Sequence, residues 1–394
     1  MASVLSIIAE QTKGKSYKTT KYAYEGIEVP RFDYDDHGFE FKWKKYGEDA
    51  YIDGKKGKTI PLKDFADKIQ KISKPLFTYF LDGSRKTYKV DDMAYANQIY
   101  PIIAGQVGVG CCYRENMEMK PLYIDNVPMY QRDLLIVLPK KAKDGEWETD
   151  ELSFGYTTEK INRMEELKNK GIAFSKILSY STSLNEGEKI ENKGIAKIQD
   201  YMIEKEKYMV AELVRQKMLS QNNYLLKDGS LEYQMHDIKS NYELIRFKSN
   251  YQFVVGVSKS FNPAKCFDKN GDNNSNLIAQ LPLYSRTPVQ MYESERIGDM
   301  CFAVWYVRIR DSKYTNNTFD GILKVEKILV NDYQKEHGLE TDEVNAITAN
   351  IINERNPVCY AADPRWSNHL YPVYVTEKYI KSKYLGDNMF LKLF

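Results

Sequence analysis

Leu76-Phe-Thr-Tyr-Phe-Leu-Asp82-Gly83-Ser84, an apolar run closed by an acid, a glycine and a serine, is the stretch on which the fold turns. Six residues, all but Thr78 apolar or aromatic, bounded by Asp-Gly read as a short buried strand. A carboxylate at the tip of such a strand has its backbone fixed by the sheet while its oxygens face a cleft. The glycine after it permits a tight turn or the close approach of a phosphate. The same ending recurs in Tyr224-Leu-Leu-Lys-Asp228-Gly229-Ser230-Leu231. Two such tips side by side offer hard oxygen ligands to a divalent cation. Asp-Gly is also the ordinary turn dipeptide between strands. Its repetition after two apolar runs is what makes a cation site an expectation as well as a turn.

Outward from these two stretches the chain reads as alternating strands and helices. Residues 76–81 and 85–90 are expected to form a hairpin across Asp82-Gly83. Residues 100–113 are β-branched and glycine-studded, which predicts a closely packed third strand, and 133–138 predicts a further one. A helix is expected near 158–170. The clearest helix runs from about 194 to 221, where Ile198, Tyr201, Met202, Met209 and Leu213 recur at three, four and seven. It leads into the second Asp-Gly-Ser. Residues 247–259 then predict a strand, with more at 300–310 and 322–329, and a helix near 341–354. Residues 1–75 read as a mixed N-terminal extension with a basic hairpin near Asp53-Gly54, followed by a main domain over 76–394 with an insertion around 114–195. Hairpin strands, a helix, more strands and a late helix predict a mixed sheet flanked by helices, α/β or α+β, with mixed α/β the expectation.

Composition narrows the function. The 394 residues are 42% hydrophobic and 28% charged, as in soluble globular proteins. No run approaches the roughly eighteen apolar residues needed to cross a bilayer. The opening Met-Ala-Ser-Val-Leu-Ser-Ile-Ile-Ala-Glu lacks a basic leader, so a cytoplasmic protein is expected. Five cysteines form no Cys-x-x-Cys pair and four histidines are scattered, which argues against structural zinc. Net charge is only +2, but lysines cluster at Lys42-Trp43-Lys44-Lys45 and Lys55-Lys56-Gly57-Lys58. Many of the 31 tyrosines adjoin lysine, as in Lys378-Tyr379 and Lys383-Tyr384. Lysine on phosphates and tyrosine on bases is how single strands are held without sequence preference. A Lys-, Tyr- and Asn-rich composition also follows from an AT-rich genome.

Two apparent motifs fail on spacing. Gly54-Lys-Lys-Gly57-Lys58-Thr59 has two residues between glycines where a phosphate loop needs four. Asp268-Lys-Asn270-Gly271-Asp272 misplaces the glycine of a calcium loop, and its twelfth position is Ala279, which cannot ligate. No Gly-x-Ser-x-Gly elbow occurs. Metal-dependent phosphodiester cleavage is the common chemistry that the residues support.

The order strand-Asp-Gly-Ser, helix carrying glutamate, strand-Asp-Gly-Ser-Leu, strand ending in Ser258-Lys259 and a late Tyr371-Pro372 resembles the NurA nuclease family over roughly residues 76–385. The resemblance implies an RNase H-like central sheet and a DNA nuclease that uses Mn²⁺ or Mg²⁺. It further implies a homodimer docked on a HerA-like hexameric ATPase in DNA end processing, with anti-phage defence a plausible role for a divergent member. Carried over by position, Asp82, Glu212 and Asp228 would bind one or two metal ions, and Lys259 and Tyr371 would position the scissile phosphate. Glu204 and Glu206, on the same helix as Glu212, are read as solvated. Tyr379 stands where the family places a histidine, with Glu377, His369 and Asp363 in local reach as substitutes. Two other readings stay open: a non-catalytic DNA-binding or scaffold subunit, and a free-standing nuclease of the Argonaute type.

Overall fold

A computed structural model of the chain describes residues 3–17, 19–24, 41–47, 50–52, 55–57, 59–72, 74–142, 154–184, 187–232, 240–268, 270–294, 300–315, 317–355 and 366–394. Its centre is one mixed sheet with helices on both faces. Three strands come first: β1 (Phe77–Tyr95), β2 (Gln98–Glu115) and β3 (Tyr130–Pro139), each antiparallel to the one before. A short edge strand, β4 (Lys176–Tyr180), lies parallel to β3. The long helix α1 (Ile190–Arg215) then crosses the sheet and delivers β5 (Tyr224–Asp228) parallel to β1. Helix α2 (Asn241–Asn250) leads to β6 (Val254–Ser258), parallel to β5. Strands β7 (Met300–Arg308) and β8 (Ile322–Ile328) extend the sheet antiparallel, giving the order β4-β3-β2-β1-β5-β6-β8-β7. The C-terminal part is helical: α3 (Thr341–Asn353), α4 (Tyr371–Lys381) and α5 (Asp387–Leu391). The fold is therefore mixed α/β, as expected.

Two faces of the sheet are buried for different reasons. Ile198, Met202, Met209, Val210 and Leu213 of α1 pack on Val107, Val109, Val137 and Leu225. The opposite face carries Phe80, Leu226, Val255 and Trp305 under α3 and α4. Alternation along each strand sends neighbours to opposite faces, and the glycines show which is which. A Cβ at Gly105 would meet Ile198 of α1, whereas one at Gly108 or Gly110 would meet Ile380 of α4. Asp82 pairs with Gly110, so its side chain lies on the α4 face.

Several expectations are corrected. Asp82-Gly83 is not a hairpin turn: β1 runs straight through it, pairing Asp82, Gly83 and Ser84 with Gly110, Val109 and Gly108. The turn falls at Ala96–Asn97, where Ala96 takes a positive φ of 54°. The predicted 247–259 strand begins late, because 241–250 coils into α2 with Ser240 capping its N-terminus through the Glu243 N–H. The 194–221 helix starts at Ile190 and stops at Arg215, where Lys217 turns left-handed and Met218 N–H closes on Leu213 O. The helix near 158–170 is two, Gly155–Asn162 and Glu165–Asn169.

Of residues 1–75, Lys15–Ser16 and Tyr22–Ala23 pair with β1, and Ile60–Pro61 pairs with Ser285–Arg286 at the far edge of the sheet. Ala50–Ile52 and Lys55–Gly57 pair antiparallel, while the expected turn residues Asp53 and Gly54 lie outside the described residues. Among the described residues no helix is long and apolar enough to cross a membrane.

Candidate functional site

The second Asp-Gly-Ser does turn. Gly229 has φ of 88°, a region that side chains disfavour, and this bends the chain away at the end of β5. The bend is pinned from β8, where the buried Glu326 accepts from Ser230 Oγ at 2.7 Å and from Leu231 N–H at 2.8 Å and pairs with Lys324 at 2.6 Å. Burial works against the Glu326 charge, but Lys324, Ser230 and the Leu231 N–H outweigh it and hold its pKa below the usual carboxylate range. Asp228 therefore sits on a backbone fixed by two parallel neighbours and a charged brace.

Register then sets the acids together. Leu81 pairs with Lys227, so Asp82 and Asp228 occupy the next position on adjacent central strands and share the α4 face. Lys259, one residue beyond β6, brings its ammonium to 2.8 Å from Asp228 Oδ2 and 3.8 Å from Glu377 Oε2 on α4. Lys381, one turn further along α4, holds the other oxygen of Glu377 at 2.7 Å from the exposed side. Asp82 is only 3% exposed and, among the described residues, accepts no hydrogen bond and forms no ion pair. Burial raises its pKa well above the usual range, Asp228 adds to the rise, and Glu377 and Glu206 contribute while Lys259 opposes them. The Lys259 pKa is raised as well: burial disfavours its charge, but Asp228, Asp82 and Glu377 more than offset that.

A second charged layer lies under the first, on the α1 face. Lys227, next to Asp228 in the chain, points the other way and meets Glu206 Oε2 at 3.0 Å. The same ammonium donates to Asp228 O at 2.7 Å and to Ser230 O at 3.3 Å. Glu206 occupies the space above Gly83, where any Cβ would run into its Oε1 and lie 3.1 Å from Met202 Cγ. Burial pushes the Glu206 pKa up, against the pull of Lys227. The two Asp-Gly dipeptides thus use glycine differently: Gly229 for its backbone angle, Gly83 for its missing side chain.

The structure brings Asp82, Asp228 and Lys259 together, and it leaves Glu212 and Tyr371 apart. Glu212 faces away from the acids and is held by its own helix, through Arg215 Nε at 2.8 Å and Gln216 Nε2 at 3.0 Å. The helix acid at the site is Glu206, and its reading as solvated is corrected. Glu206 lies four residues after Met202 and three before Met209, on the buried stripe of α1, so the helical period that identified the helix also marked it. Tyr371 is 45% exposed at the start of α4, where its N–H bonds Glu354 O. Of the substitutes for the absent histidine, Glu377 reaches the Lys259 ammonium that pairs with Asp228, His369 is buried beside the Tyr374 ring, and Asp363 lies outside the described residues. Tyr379 packs edge-on to Tyr130 under the Lys383 ammonium. Cys111, Cys112, Cys266 and Cys301 are buried thiols, and burial raises the pKa of both Cys111 and Cys112.

Among the described residues no three of His, Cys, Asp and Glu are already drawn into a metal-binding group. What stands between Asp228 and Glu377 is the Lys259 ammonium. The donors nonetheless suit a hard divalent cation: Asp82, Asp228 and Glu377 present carboxylate oxygens on one face, and the buried Asp82 carboxylate has no cationic partner within ion-pair distance. A lone buried carboxylate is costly, and a cation held there would remove the cost. No known family model matches the chain, and no curated protein is significantly similar to it in sequence.

Proposed function

We propose that the protein is a divalent-metal-dependent DNA nuclease with an RNase H-like core, a cytoplasmic enzyme that hydrolyses phosphodiester bonds. The observation that carries this reading is the buried, unpartnered Asp82 beside Asp228 on adjacent central strands, with Lys259 and Glu377 on the same face. A meander of three antiparallel strands, β1 to β3, and two helix-connected parallel ones, β5 and β6, with acids on β1 and β5, supports the RNase H-like assignment.

Asp82, Asp228 and Glu377 would hold Mn²⁺ or Mg²⁺. Such a cation, when bound, acts as a Lewis acid on a phosphodiester oxygen and makes water a usable nucleophile near neutral pH. The protein's own groups do the rest. The sheet fixes the two aspartates, so little ordering is left for the moment of reaction. Lys259, whose ammonium pairs with Asp228 and Glu377, is placed to neutralise phosphate charge at the same edge. Lys378 lies over the Tyr374 ring at 5.2 Å and Lys383 over Tyr379 at 5.5 Å, which sets cations and aromatic rings along the helix that carries Glu377. Such a pairing suits a phosphate backbone and its bases. The NurA resemblance extends the proposal to a homodimer acting with a HerA-like hexameric ATPase in end processing or anti-phage defence, which co-purification with a HerA-like ATPase tests.

One observation favours a second reading. Lys259 bridges Asp228 and Glu377, so the site is partly self-neutralised, as a non-catalytic DNA-binding or scaffold subunit would be. Cleavage of end-labelled linear DNA with Mn²⁺, with and without the ATPase, separates the two. Degradation that Asp82→Ala and Asp228→Ala both abolish supports the nuclease. Inert wild-type protein, or variants that cut equally well, sinks it in favour of the scaffold.

A further inference from the structure

We propose that Lys227 is a built-in counter-cation that limits this acidic cluster to a single divalent ion, held by Asp82, Asp228 and Glu377 on the α4 face. The inference rests on the metal-site reading above and specifies its stoichiometry.

A paired-ion site needs its cations about 3.5–4 Å apart, with carboxylate oxygens for both. Once Asp82, Asp228 and Glu377 serve the first, the remaining acid of the cluster among the described residues is Glu206. Its carboxylate lies on the opposite face, in the notch over Gly83, and Lys227 already stands 3.0 Å from it. A second dication there would meet an ammonium at close range in a site from which water is excluded.

Lys227 cannot yield easily. Its Nζ has three N–H bonds, and it lies within reach of three acceptors: Glu206 Oε2, Asp228 O and Ser230 O. The side chain is only 4% exposed, so displacing it would strand a buried ammonium and the carbonyls it serves. Lys259 is also largely buried, but it differs in its partners. Among the described residues its ammonium pairs with Asp228 and Glu377, the acids a cation would take over, and it sits at a strand end on a flexible stem. One lysine is displaceable and the other is fixed.

Charge agrees with the geometry. With Lys259 displaced, four carboxylates (Asp82, Asp228, Glu377, Glu206) against the Lys227 ammonium leave an excess of three negative charges. One dication leaves the cluster one charge negative, whereas a second would leave it net positive. Lys381 is 41% exposed and screened by solvent, so it alters this little.

The test is to count Mn²⁺ bound to the full-length chain, by calorimetric titration and by the loss of the free-ion resonance signal. Wild type is expected to take one ion, Asp82→Asn none, and Glu206→Gln still one. Lys227→Met, with Lys227→Gln as a variant that keeps donors without the charge, is expected to open a second binding event. Two ions in wild type, or loss of the ion in Glu206→Gln, would overturn the inference and leave the metal-nuclease reading standing. No ion in wild type would overturn the metal reading and this inference with it. One ion bound without any DNA cleavage keeps the stoichiometry and removes the nuclease.

Discussion

Glu206 fills the space that a side chain at Gly83 would need, so the first Asp-Gly-Ser is locked to the long helix through an absent Cβ. That lock fixes the strand position that carries Asp82. Gly83→Ala is expected to destabilise the protein by about 1–3 kcal/mol through overpacking. Gly229→Ala acts differently, by straining a backbone with φ of 88°, at roughly 1–2 kcal/mol. Urea unfolding of both, with Gly229→Asn expected to be milder than Gly229→Ala because Asn tolerates positive φ, checks the distinction. Equal losses for Asn and Ala at 229 would contradict it.

Asp82 costs the fold stability that it contributes to the site. Its folded-state pKa is raised, so its favourable contribution is present below the unfolded carboxylate pKa and is lost as pH rises through the folded one. Asp82→Asn, which keeps the shape without the charge, is therefore expected to melt above wild type at neutral pH, with the gap closing toward acid pH. Thermal melts across that range read it directly. Mn²⁺ should raise the wild-type melting temperature and leave that of Asp82→Asn unchanged, by mass action on the folded state.

Arg114 on β2 meets Glu354, just past α3, with both terminal guanidinium nitrogens, at 2.7 Å and 2.5 Å. Arg114 also donates to Phe77 O at 3.3 Å and lies over the Phe80 ring. Burial raises the Glu354 pKa and Arg114 opposes the rise. Removing either partner leaves a buried charge, so Arg114→Met or Glu354→Leu alone should cost about 3–5 kcal/mol, and the double variant much less than the sum. A double-mutant cycle with near-zero coupling would refute this.

Glu212 and Glu206 are expected to separate cleanly in a cleavage assay. Glu212 is held by Arg215 and Gln216, which lower its pKa, on a surface where ion pairs contribute little. Glu212→Ala should cut DNA within about twofold of wild type, as expected of an exposed pair outside the site. Glu206→Ala strands Lys227 beneath Asp228 and should reduce both activity and stability. Equal behaviour of the two variants would show that the α1 face plays no part.

Much of this was legible in the sequence. The apolar runs before Asp82 and Asp228 fixed two strands, the period of Ile198, Met202, Met209 and Leu213 fixed the long helix, and the repeated Asp-Gly-Ser singled out both aspartates. Local sequence carries such signals because strand burial and helix faces repeat over a few residues. The same period also marks Glu206, on the stripe between Met202 and Met209, but applied to the apolar residues alone it left the acid read as solvated.

What tertiary structure alone decided concerns groups far apart in the chain. No local pattern shows that the first Asp-Gly continues a strand while the second turns, because the difference lies in what opposes each: Val109 and Glu206 in one case, Glu326 on a distant strand in the other. Nor does sequence reveal which face of the sheet Lys227 and Asp228 each take, or that Glu377 comes back to Lys259 across more than a hundred residues. Which charges meet is set by strand register and by the face each helix covers, and these are fixed only when the whole sheet assembles.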